Sequence, residues 1–118
     1  MYEQFRQAYE ARDESRVMSF LADAWQAGDG TSLSDLSANL RRTFTAFDEI
    51  RYEISNLQIQ PGMGGRMMAT YDLSIISRMF SADIRHVEKS AVREEVGRDS
   101  RGRVRILSTP GGRFWMVE

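Results

Sequence analysis

The sequence predicts an α+β domain in which three N-terminal helices pack in the concave face of a curved, mainly antiparallel sheet of about five strands. Three observations carry this. Apolar residues recur at helical spacing up to residue 47, the period changes to two at Ile50, and the later strands are joined by tight turns rather than crossover helices. The 118 residues suit a single domain, 1–118, with a core that needs no metal or disulfide staple.

The first helix shows in Tyr2, Phe5 and Tyr9, spaced three and four apart with polar residues between them. Asp13 is placed to cap a second helix, because its carboxylate can accept the free amides of ESRV. That helix is expected to carry Val17, Phe20, Leu21 and Trp25 and to stop at AGDG, where Gly28 and Gly30 disfavour helix. A third helix starts at Thr31 or Ser32 and aligns Leu33, Leu36, Leu40, Phe44 and Phe47 in one stripe.

In the strand region Ile50, Tyr52 and Ile54 alternate, and the phase then slips to Leu57 and Ile59. This predicts a bulge at Ser55 and Asn56 that bends the strand. A turn at PGMGG leads into a strand over about 66–80. Further strands are expected from Ile84 to about Val96, through Val104 and Ile106, and over RFWMV after the Pro110, Gly111, Gly112 turn. On that last strand Phe114 and Trp115 would face opposite sides, leaving one aromatic outside the helical cover as a surface for a second copy.

Sixteen basic and seventeen acidic residues give a net charge of −1, so nothing draws in a polyanion and nucleic acid is not expected as a partner. The densest basic run, RDSRGRVRI, reads as a polar hairpin turn with its arginines in water, although it could also touch phosphate or an anionic lipid. No apolar run approaches the ~20 residues that cross a bilayer, and no leader is visible, so a soluble, by default cytoplasmic, protein without membrane insertion is expected. The alternative is the mature part of an exported or lipid-anchored protein. The absence of cysteine removes thiolate chemistry and disulfides. Neither a phosphate-binding glycine loop nor a clustered ligand set occurs, so no cofactor and no metal are expected.

The segments AYEARDESRVMSFLADAWQAGDG, IRYEISNLQI and GRFWMV, with the long helix between the first two, resemble the nuclear transport factor 2-like superfamily over nearly the whole chain. That superfamily includes ketosteroid isomerase, scytalone dehydratase and SnoaL-like polyketide cyclases. The resemblance implies a cystatin-like cone with a pocket, here lined by Phe5, Tyr9, Trp25, Tyr52, Tyr71 and Ser90, and frequent homodimerisation through the open sheet face. It does not carry the isomerase chemistry across. The oxyanion-holding tyrosine position falls on Phe5, which cannot donate a hydrogen bond, and Asp29, near the base position, lies in a glycine turn.

The strand beginning IRHVEKSA contains the only histidine. Alternation puts Arg85, Val87 and Lys89 on the outer face, with His86, Glu88 and Ser90 inward, His86 and Glu88 about 6.6 Å apart along the strand. Three function classes are therefore open. The chain is a pocket domain that binds a small apolar ligand, or a lyase, isomerase or hydrolase using His86 and Glu88 as an acid–base pair, or an interaction module working through its open sheet face.

Overall fold

The computed structural model describes residues 1–116. Helix α1 (Tyr2–Glu10) buries the predicted stripe of Tyr2, Phe5 and Tyr9, joined by Ala8. It ends where Arg12 adopts a left-handed φ of 55°. The Arg12 guanidinium then donates to the Phe47 carbonyl at 2.6 Å, fixing this corner to the far end of the third helix. Asp13 caps α2 (Glu14–Met18) by accepting the Arg16 amide. Helix α3 (Leu33–Ala46) begins with a capping box between Ser32 and Asp35, and Leu36, Leu40 and Phe44 face the core.

Strands β1 (Glu49–Pro61), β2 (Met67–Met79), β3 (Ile84–Arg98) and β4 (Val104–Gly111) form one antiparallel sheet in the order β1-β2-β3-β4. The β1 register slips between Ser55 and Gln58, with Asn56 at a φ of 55°, so the predicted bulge is present and bends the edge strand. On β3 the burial alternates as predicted: Val92, Glu94 and Val96 are buried while Ala91 and Arg93 are exposed.

Three expectations are corrected. The second helix stops at Met18 and does not run to Trp25. The chain turns there because β4 is an edge strand with unpaired backbone groups. The Ile106 amide donates to the Phe20 carbonyl and its carbonyl accepts the Ala22 amide, with further bridges joining Leu21 to Ile106 and Ala27 to Thr109. The sheet has four strands rather than five, because residues 113–116 are not extended alongside β4. Val117 lies outside the described residues.

The third correction concerns the closing aromatics. Gly112 takes a φ of +72°, and a Cβ there would collide with the Ala91 carbonyl, so only glycine lets the chain turn this tightly against β3. The turn carries residues 113–116 back over the concave face. Phe114, Trp115 and Met116 are all buried, and neither aromatic is left on the outside.

Candidate functional site

The residues expected to line a pocket do converge, but on one another. Phe5, Tyr9, Trp25, Tyr52 and Tyr71 are each at most 3% exposed. The Phe5 ring meets Phe20, Tyr52 and Phe114 edge-on at 5.7, 5.8 and 5.4 Å, and Trp25 meets Phe114 and Trp115 at 5.7 and 5.8 Å. The Tyr52 hydroxyl donates to the Phe114 carbonyl at 3.1 Å. The closing segment thus packs into the middle of the cone.

The same segment divides the inward trio of β3. Ser90 Oγ accepts the Arg113 amide at 2.8 Å and lies with Glu88 beside Asp29 and Arg113. His86 lines a different groove. Its Nε2 is 3.9 Å from Glu88 Oε2, which is ion-pair range when the ring is protonated but too long for a hydrogen bond. The His86 side chain is 49% exposed and that of Glu88 24%. Asp29 is a turn carboxylate, accepting the amide and hydroxyl of Thr31 at 2.9 and 2.7 Å, and those bonds hold it below the usual carboxylate range.

The groove beside His86 has a volume of about 390 Å³ and lies between the end of α3 and the β2–β3 hairpin. Ala46, Phe47, Met79, Ile84 and Met116 form its walls, with Arg42 and Thr43 on the helix side. A larger groove of about 570 Å³ between α1 and β1 is charged, with Arg6, Glu10, Arg51 and Glu53 among its lining residues. The His86 groove therefore combines apolar walls with one imidazole.

A buried carboxyl that sequence reasoning passed over lies deeper. Glu94 on β3 is wholly buried, 2.6 Å from the Tyr2 hydroxyl and 3.1 Å from Thr109 Oγ1, which donates to it. Thr109 can point its proton at Glu94 because it accepts the Trp25 indole N–H at 3.0 Å. Burial pushes the Glu94 carboxyl up to about 7, against the opposing pull of these hydroxyls. The Tyr71 hydroxyl is near enough to add to that pull, yet it falls outside hydrogen-bond geometry. Alternation sets Glu94 inward between Val92 and Val96, and a lone acid between two valines on a buried face is the available signal. Sealed from solvent, Glu94 ties α1, β3 and β4 together.

No protein-family model and no curated protein matches this sequence. Solved structures do. ActVI-ORFA from Streptomyces coelicolor superposes with a TM-score of 0.75 at 14% identity, over 99% of this chain and 91% of its own. A nuclear transport factor 2-like superfamily protein from Salmonella enterica serovar Typhimurium gives 0.74 at 10% identity, over 98% and 87%. Aln2 from a Streptomyces species gives 0.71 at 17% identity, over 92% and 81%. The chain has the nuclear transport factor 2-like fold. At these identities the likeness establishes architecture alone.

Proposed function

We propose that the protein binds a small apolar molecule in the groove between the end of α3 and the β2–β3 hairpin, without turning it over. The observation that carries this is the run of Phe47, Met79, Ile84 and Met116 around one open groove, in a domain whose interior is filled by its own aromatic side chains. Ile84 is 48% exposed, more than a residue kept only for the core requires. The Ile84→Glu variant is expected to weaken binding of 1-naphthol, followed by its fluorescence, by at least tenfold, since burying an isoleucine is worth about 1.5 to 3 kcal/mol. Unchanged affinity would place the ligand elsewhere.

An acid–base role for His86 with Glu88 is the second reading, favoured by the 3.9 Å approach of the two side chains. His86→Gln separates the two. Retained naphthol binding, with no candidate substrate turned over more slowly, leaves binding as the function.

A second copy, expected from the sequence on a projecting aromatic, is proposed instead through Ile76 and Val87, cross-strand partners on the outer sheet face. Sedimentation velocity is expected to show a dimer that Val87→Glu converts to monomer. A monomeric parent protein would remove this partner.

A further inference from the structure

At one end of the sheet two hairpin turns meet. There β1 ends at Pro61, β2 begins at Met67, β3 ends at Arg98 and β4 begins at Val104, so the turns at 62–66 and 99–103 lie side by side. The first turn carries an apolar side chain, Met63, ahead of its one charge, Arg66. No charge occurs from Leu57 to Gly65, Leu57 and Ile59 are 41% and 53% exposed, and Met63 at the turn is 89% exposed. Among the described residues no atom lies within 4 Å of a Cβ added at Gly64 or Gly65.

The adjoining turn is basic. Arg98, Arg101, Arg103 and Arg105 lie on or beside it, and with Arg66 of the first turn they outnumber Glu95 and Asp99, in a chain whose net charge is −1. Glu95 pairs with Arg66 at 3.1 Å and Asp99 with Arg103 at 2.9 Å, while the guanidiniums of Arg98 and Arg105 donate to the backbone carbonyls of Gly102 and Val104. A carbonyl satisfies a donor without cancelling its charge. The tip therefore keeps a net positive field around a projecting methionine.

We propose that this end of the sheet is a docking surface for an anionic lipid bilayer, with Met63 entering the headgroup layer and the arginines meeting lipid phosphates. Charge complementarity selects the occupant. A protruding apolar residue beside an arginine-rich turn matches a flat interface that is negative outside and apolar beneath. An acidic protein partner would need a concave apolar seat, and the space around the turn is open. This is peripheral adsorption, compatible with the finding that no described helix is long and apolar enough to cross a membrane.

The test is co-sedimentation of the full chain with mixed phosphatidylglycerol and phosphatidylcholine vesicles at low ionic strength. Binding is expected to the mixed vesicles, not to phosphatidylcholine alone, and to weaken as salt is added. Met63→Asp and Arg101→Glu, both in exposed turns and checked for folding by circular dichroism, are each expected to lower partitioning about tenfold. Arg85→Glu, on β3 beside the opposite hairpin, is expected to leave it unchanged. No binding to the mixed vesicles, full binding by both tip variants, or an equal loss with Arg85→Glu would overturn the proposal. So would a tip that binds polyglutamate while ignoring vesicles, which would assign it to an acidic protein.

Discussion

Raising the pH from 4.5 to 7 is expected to remove about 3 kcal/mol of folding stability, and Glu94→Gln is expected to abolish that loss. The Glu94 carboxyl is lifted from 4.5 to about 7 by burial. Between those values the folded protein holds a proton that the unfolded chain has released, so stability falls as pH rises through the window and levels off above it. Each unit of displacement is worth about 1.4 kcal/mol, which sets the scale. The exposed carboxylates act in the opposite direction. Bonds to Thr31 hold Asp29 down and bonds to Arg103 and Arg101 hold Asp99 down, so their contributions are lost below about pH 4 rather than in this window. The amide introduced by Glu94→Gln can accept from Thr109 and donate to the Tyr2 oxygen, keeping both contacts without a charge. Urea denaturation at several pH values measures the slope. A parent protein as stable at pH 7 as at 4.5 would refute the assignment.

Phe114→Ala is expected to cost about 3 to 5 kcal/mol, the loss that follows removal of a fully buried phenyl ring. Phe114 packs against Phe5, Trp25 and Trp115, so its removal leaves a hole among rigid rings. Where that loss unfolds the protein, Phe114→Leu is the milder probe and is expected to lose part of the same energy. Chemical denaturation with circular dichroism gives both values. A change below about 1 kcal/mol for the alanine variant would mean that the closing segment does not pack as described.

These two residues mark the limits of what the sequence disclosed. Periods of 3.6 and 2 placed α1, α3, the β1 bulge and both faces of β3, because in each case one buried face writes its spacing into the chain. The end of α2 was hidden because β4, some 80 residues later, recruits Phe20 and Ala22 to its edge. Residues 113–116 read as a strand by alternation alone, and the left-handed φ at Gly112 that sends them into the cone leaves only a glycine as its trace. That misreading also decided the site. With Phe114 and Trp115 packed among the interior aromatics, His86 lines a groove apart from Ser90.

The central claim, that ligand binding belongs to the groove beside His86 and not the interior, is tested most directly by titrating 1-naphthol into isotope-labelled protein and following amide chemical shifts. Saturable shifts at Phe47, Met79, Ile84 and His86, with Phe5, Trp25 and Tyr52 unmoved, are the predicted result. Shifts centred on the interior aromatics, or no saturable shift at the groove, would contradict it.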